Sequence, residues 1–302
     1  MKRDWGQPVT AMDLARRLSE GPIILADGAT GTMLQAAGLL PGAAAESWNI
    51  DKPDQIRALH AGYIHAGAEA ILTNTFGGSS IRLSKAGVVQ SAEEVNLAAS
   101  RIARDVAGDE VFVLGDIGPT GKLMQPLGDL EKGEARRSFF DQARALAKGG
   151  VDGILVETMS DLDEAVAAVE GAREASDLPI IVTMSFDTHG RTMMGVTPEQ
   201  AAERLSGLHV DAIGANCGRT LPENLEAIRR MRLVAPSAIL AAKPNAGLPH
   251  QKDSESVYDV SPQVLADFAA RFAAHDVRLF GGCCGTTPDH IMAVARALGK
   301  RE

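Results

Sequence analysis

Short apolar runs rich in β-branched residues recur along the chain. They alternate with longer stretches in which apolar residues return every three or four positions. The short runs predict strands at Ile23–Ala26, Ala70–Asn74, Val111–Asp116, Gly153–Glu157, Ile180–Ser185, Ala212–Asn216, Ile239–Lys243 and Arg278–Gly282. Each is apolar along most of its length, the pattern of a strand covered on both faces. The longer stretches predict helices. Pro53–Ala66 gathers Ile56, Leu59, Tyr63 and Ile64 on one face, Ala92–Val106 carries Val95, Leu97, Ala98 and Ile102, and Gly133–Lys148 carries Phe139, Ala143 and Leu146. Asp161–Ala175, Thr197–Leu208, Leu221–Val234, Ser261–Ala274 and Pro288–Leu298 complete the set. At Thr197-Pro198, Ser261-Pro262 and Thr287-Pro288 a hydroxyl cap is followed directly by proline, which starts a helix without losing a needed N–H.

Eight strands, each followed by a helix, is the count of a closed (β/α)8 TIM barrel. A doubly wound open sheet is the rival, but eight such units in one chain suit closure better. With no linker or low-complexity segment, residues 1–302 are expected to form one domain with its core at about 20–300. The long irregular stretches Gly28–Asp51, Gly118–Lys132 and Pro244–Val260 all follow strands, where a barrel carries the loops of its catalytic face.

Composition narrows the function. Hydrophobic residues make up 45% of the 302 positions and charged residues 23%, which excludes a largely disordered chain. Aromatic residues are only 4%, so the core must rest on aliphatic side chains. A net charge of −9 argues against nucleic acid as a partner, because that footprint is basic. No apolar run is long enough to cross a membrane, and the N-terminus lacks an apolar signal core, so a cytoplasmic protein is expected.

A barrel should gather its chemistry just after the strands. All three cysteines fall there: Cys217 in Asn216-Cys217-Gly218, and Cys283 and Cys284 in Gly281-Gly282-Cys283-Cys284-Gly285. Neighbours in a strand point to opposite faces, but the flanking glycines free the backbone to bring both sulfurs round. Three thiolates suit zinc and leave a fourth position open, the catalytic arrangement. Such a site would hold a substrate thiol as thiolate. Three free cysteines, or a redox pair Cys283-Cys284 with a bystander, are the alternatives. His60, His65, His209 and His275 fall on helices or helix ends and read as surface positions. His290 opens the last helix beside the cysteine loop, and Asp187–Arg191 reads as a turn.

The run Gly281-Gly282-Cys283-Cys284-Gly285-Thr286-Thr287-Pro288-Asp289-His290-Ile291 resembles the signature of the homocysteine S-methyltransferase family, and Asn216-Cys217-Gly218 matches the other zinc cysteine. Asp27–Thr32, Asn74–Gly77, Gly115–Gly121, Glu157-Thr158 and Pro244–Pro249 fall where the family places its other motifs, so the resemblance spans about residues 20 to 300. It implies a zinc-bearing barrel that methylates the sulfur of homocysteine to give methionine. Carried over by position, Cys217, Cys283 and Cys284 would hold Zn2+. Glu157 would bind the homocysteine ammonium, and Asp27 with the Gly28-Ala29 backbone would lie at the amino-acid end. A turn-forming role for Asp27, and a core ion pair of Glu157 with a neighbour such as Lys243, remain open. Asp116 and Asn245 are candidates for orienting the substrate.

The methyl donor divides the family. Gly118–Gly121, Pro244–Pro249 and Gly285–Pro288 look most like the homocysteine-binding module of the cobalamin-dependent methionine synthase branch. The betaine-using branch carries a longer C-terminal extension, and a quaternary ammonium donor wants an aromatic box. Here only Trp48, Phe76 and Tyr258 are candidates for one. Trp48 could equally anchor a loop. The expected donor is methylcobalamin supplied by a separate corrinoid protein, with a folate-binding methyltransferase as a further possible partner. Betaine or S-methylmethionine used by the chain alone, demethylation of a related compound, and a homocysteine-presenting subunit without activity of its own are the competing readings.

Overall fold

The computed structural model describes residues 11–252 and 255–301. Eight parallel strands form one sheet: β1 (Ile24–Leu25), β2 (Ala70–Leu72), β3 (Phe112–Ile117), β4 (Gly153–Met159), β5 (Ile180–Met184), β6 (Ala212–Cys217), β7 (Leu240–Pro244) and, after a hairpin of β8 (Pro249–Lys252) and β9 (Glu255–Tyr258), β10 (Val277–Phe280). The order around the sheet is β1-β10-β7-β6-β5-β4-β3-β2. A parallel bridge between Ala26 and Ala70 joins the two ends, and the Glu69 N–H donates to the Leu25 carbonyl at 2.7 Å. The barrel is therefore closed, as the count of strands and helices predicts.

Alternation along the strands sorts the side chains. Ile24, Leu72, Leu114, Leu155, Ile181, Ala241 and Leu279 fill the interior. Leu25, Ile71, Val113, Ile154, Val156, Val182, Ile213 and Phe280 face outward under the helices. Continuing the inward positions by two residues places Asp116 above Leu114, Glu157 above Leu155, Thr183 above Ile181 and Lys243 above Ala241. The apolar floor thus gives way to a polar layer at the C-terminal ends of the strands, where TIM barrels carry their chemistry.

Several elements depart from expectation. A helix over Ala11–Glu20 precedes β1 and was not predicted; its Leu14 and Leu18 are fully buried among the interior residues and close the N-terminal end of the barrel. The long loop after β1 contains helical turns at Gly31–Ala36, Ala45–Ser47 and Trp48–Asp51, and a short helix over Ser80–Lys85 follows β2. The loop after β7 folds into the antiparallel hairpin, with Pro249 opposite Tyr258. Its strands are short and polar, so no apolar alternation announces them. His60 is fully buried in the helix Pro53–Ala66, not on the surface as its sequence position suggested. Among the described residues no helix is long and apolar enough to cross a membrane.

Candidate active site

Cys217 ends β6, and the pair Cys283-Cys284 follows β10 across one intervening strand, β7. The three sulfurs lie within 4.8 Å of one another and are half-buried at the open rim. The Sγ atoms of Cys217 and Cys283 are 2.9 Å apart. Cys217 has φ 53 and Thr158, at the end of β4, has φ 61. Left-handed backbone at residues with a Cβ is costly and persists only where the surroundings enforce it.

Asn216 supplies that enforcement. It is fully buried, and its amide bonds both ends of Thr158 as well as the Thr183 hydroxyl. Its Nδ2 also faces the sulfurs of Cys217 at 3.5 Å and Cys283 at 3.9 Å. The second cysteine loop is locked differently. The Cys283 N–H donates to the Pro244 carbonyl, and the Ala246 N–H to the Cys284 carbonyl, both at 2.9 Å. Gly285 has φ 80, and a Cβ there would lie 2.1 Å from Cγ of Tyr258, whose ring covers the loop. Burial, with help from the nearby cysteines, pushes the Tyr258 hydroxyl up to about 12.

Hydrogen bonds from Cys217 and Cys283 hold the Cys284 thiol well below its usual range, while the same contacts and burial push Cys217 far up. One negative charge is comfortable among three touching thiols, and more is not. A divalent cation is what lets all three ionise together. A tetrahedral zinc with bonds of about 2.3 Å holds its sulfurs about 3.8 Å apart, a spacing within the reach of this cluster. The donor set therefore fits zinc.

Beneath the sulfurs lies an acidic cluster. Asp27, Asp116 and Glu157 are all buried. Asp27 Oδ2 accepts from the Leu72 N–H at 2.8 Å, but Asp27 Oδ1 and Asp116 Oδ1 have no hydrogen-bond partner. Lys243 Nζ donates to Glu157 Oε2 at 3.0 Å, both side chains being almost fully buried. Burial lifts the Asp27 carboxyl to about 7 against the pull of Lys243. Burial also raises Asp116 and Glu157, again only partly offset by Lys243. Lys243 loses hydration too, yet the surrounding carboxylates hold it firmly protonated. One ammonium shared among three carboxyls leaves each carboxyl undercompensated.

The turn after β1 packs closely against the cysteine loop. A Cβ on Gly28 would lie 2.7 Å from Thr286 Oγ1 and 2.9 Å from the Tyr63 ring, so only glycine fits. The Ala29 N–H already donates to Thr286 Oγ1 at 3.0 Å, and that hydroxyl donates on to the Cys283 carbonyl at 2.7 Å. Asn245 donates from Nδ2 to the Gly218 carbonyl at 2.8 Å, and its buried Oδ1 has no partner. The structure thus brings Cys217, Cys283, Cys284, Asp27, Gly28, Ala29, Asp116, Glu157 and Asn245 to one end of the barrel. Asn216 and Lys243 were not singled out as site residues. Lys243 entered the sequence reading only as a core ion-pair partner of Glu157, and that pair is present; Asn216 entered only as the residue before Cys217, and its place on the inward side follows from alternation past Gly214.

Other candidates separate. His290 caps its own helix through Thr287 and binds the Val260 carbonyl at 2.8 Å through Nε2, tying the hairpin loop to the cysteine loop. Trp48 is buried in the core with Lys52 Nζ 4.1 Å over its ring, and Arg82 stacks 4.9 Å over Phe76. The Asp187–Arg191 segment is an exposed turn closed by Thr188 and Arg191.

Comparison with known proteins bears on this arrangement. Residues 24–298 match the family described as homocysteine S-methyltransferase. Methionine synthase of Mycobacterium leprae (strain TN) is 35% identical over 308 residues, covering 95% of this chain and 25% of that protein. Methionine synthase of Mycobacterium tuberculosis (strain ATCC 25618 / H37Rv) is 36% identical over 296 residues, covering 91% and 24%. The chain spans about a quarter of the length of these curated relatives. Among solved structures, the metallated homocysteine methyltransferase MmuM from Escherichia coli aligns with a TM-score of 0.78 at 23% identity, covering 94% of this chain and 99% of that one. A methyltransferase from Methanosarcina mazei aligns with a TM-score of 0.63 at 12% identity, covering 96% and 98%. These structural likenesses are of fold.

Proposed function

Because the chain belongs to the homocysteine S-methyltransferase family, we propose that it is a zinc-dependent enzyme that methylates the sulfur of homocysteine to give methionine. The observation that carries this reading is the stacking of two sites: a three-cysteine cluster at the rim and, beneath it, an acidic cluster with unsatisfied oxygens. Their chemistries match the two ends of an amino-acid thiol. Zinc held by Cys217, Cys283 and Cys284 would supply a Lewis acid that takes up a thiol in its ionised form near neutral pH.

The remaining work falls to the chain's own residues. Asp27, Asp116 and Glu157 bind and orient the substrate ammonium, which pins the amino acid so that its sulfur points out of the barrel. Gly28 lets the strand-turn backbone approach closely, and Asn245 frames the other side. Asn216 holds the cysteine sulfurs in place and donates toward them, which spreads their negative charge. The cysteines need a reducing compartment, so the reading includes a cytoplasmic location.

The donor in this proposal is methylcobalamin carried by a separate corrinoid protein, with a folate-binding methyltransferase as the source of its methyl group. Two of the three aromatic candidates for a betaine box, Trp48 and Phe76, already have cations over their rings. That disfavours a quaternary ammonium donor. The test is methionine formation from homocysteine with free methylcobalamin, protein-borne methylcobalamin, betaine and S-methylmethionine. The proposal expects slow turnover with the first, faster turnover with the second, and little with the others. Fast turnover from betaine or S-methylmethionine without a response to methylcobalamin would replace the donor. No turnover from any donor, with homocysteine still bound, would make the chain a presenting subunit.

A further inference from the structure

Lys243 stands at the end of β7, across the barrel from Glu157 on β4, and its side chain is only 2% exposed. A lysine buried this deeply is rare unless it is paired. Its pair with Glu157 at 3.0 Å leaves Oδ1 of Asp27 and of Asp116 without partners in the same polar layer. Three buried carboxyls with no cation among them would shed charge by taking up protons, and a protonated carboxyl holds an ammonium poorly. One resident cation changes that balance and still leaves the cluster short of positive charge.

We propose that Lys243 is a positioning residue for substrate selection: by pairing with Glu157 it keeps that carboxylate charged and aimed into the acidic cluster, so that the cluster accepts the ammonium of an amino-acid thiol and rejects thiols that lack one. This inference rests on the substrate reading given above. The obvious competing role, direct binding of the substrate carboxylate, is disfavoured by the surroundings. Lys243 already feels the charges of Glu157, Asp27 and Asp116, so an anion brought to its ammonium would meet three acids.

The test uses the zinc-loaded full chain and its Lys243→Met and Lys243→Arg variants. Binding of three thiols is measured by calorimetry: homocysteine, 3-mercaptopropylamine, which keeps the ammonium and lacks the carboxylate, and 4-mercaptobutanoate, which keeps the carboxylate and lacks the ammonium. Lys243→Met should weaken the first two about tenfold or more, the loss expected for one charge-assisted hydrogen bond. It should leave 4-mercaptobutanoate unchanged, and Lys243→Arg should restore the first two in part. Equal weakening of all three thiols, selective loss of 4-mercaptobutanoate, or unaltered homocysteine binding would overturn the inference. The wild-type titration separates the two levels: no homocysteine binding there overturns the proposed function itself, whereas wild-type binding with an indifferent Lys243→Met overturns this inference alone. Where Lys243→Met does not fold, the double variant Lys243→Met/Glu157→Gln, which removes both buried charges, is compared with Glu157→Gln alone: a residue that acts through Glu157 adds no further loss on that background, and a further loss of about tenfold in homocysteine or 3-mercaptopropylamine binding there would overturn the inference.

Discussion

Asn216 grips Thr158 with both ends of its amide: Oδ1 accepts from the Thr158 N–H at 2.8 Å, and Nδ2 donates to the Thr158 hydroxyl at 2.6 Å. The contact joins the ends of β4 and β6 and fixes the left-handed residue at each, Thr158 and Cys217. Replacing Asn216 by Leu keeps the branched shape and removes both the amide donor and its acceptor. The expected outcome is a folded barrel with metal affinity lowered about 10- to 100-fold, the usual cost of losing a group that orients metal ligands. Competition with a chromophoric chelator measures it. Unchanged affinity would mean that the cysteine loops hold their shape unaided.

Cys217→Ala leaves two of the three sulfurs. The variant should purify with little zinc and no methyltransferase activity, while its circular dichroism stays that of the wild type, because rim residues are separate from the packed interior. Metal analysis of the purified protein is the check. Full zinc occupancy would remove Cys217 from the ligand set.

Glu157→Gln keeps an acceptor for Lys243 and removes the charge. Homocysteine affinity should fall about ten- to a hundredfold, equivalent to roughly 1.5–3 kcal/mol for a charge-assisted bond, with zinc retained. Calorimetric titration at fixed zinc content reads it. An unaltered dissociation constant would leave ammonium binding to Asp27 and Asp116.

His60 gives a pH prediction away from the site. Both ring nitrogens are buried without partners, and burial lowers the imidazole from its ordinary 6.5 to about 4. The unfolded chain therefore takes up a proton below pH 6.5 that the folded chain refuses until about pH 4, so stability is lost as pH falls through that window. The loss should reach about 2 kcal/mol by pH 5. Denaturant melts of wild type and His60→Leu at pH 7.5 and pH 5 should show the variant losing less. Parallel losses in the two proteins would assign the acid sensitivity to other groups.

The barrel was legible because its strands are short, apolar and evenly spaced. Ile24–Leu25 and Ala70–Leu72 prove shorter than the runs that announced them, because the residues that follow turn into the rim loops. The cysteines were legible because the chain has only three and all of them fall at strand ends. Less visible were residues whose meaning lies in what they meet across the barrel. The ion pair of Glu157 with Lys243, one of the two readings open for Glu157, is present at 3.0 Å, but the sequence alone does not tell that the pair sits in a layer with Asp27 and Asp116 whose oxygens stay unpartnered. His60 misled as a polar residue on a helix face that the fold happens to cover. The Ala11–Glu20 helix carries little signal in the sequence because its two buried leucines are embedded among charged neighbours.

That helix has a consequence for the order of events. With Leu14 and Leu18 stopping the lower end and aliphatic layers filling the middle, the acidic cluster faces, among the described residues, the rim that carries the sulfurs. On the proposed reading, substrate and methyl carrier reach the site over that same rim, so their traffic is sequential. The amino acid must pass the rim before a bulky methyl carrier settles over it, and methionine can depart only after that carrier has lifted away. Initial-rate kinetics should then show homocysteine adding first and methionine leaving last.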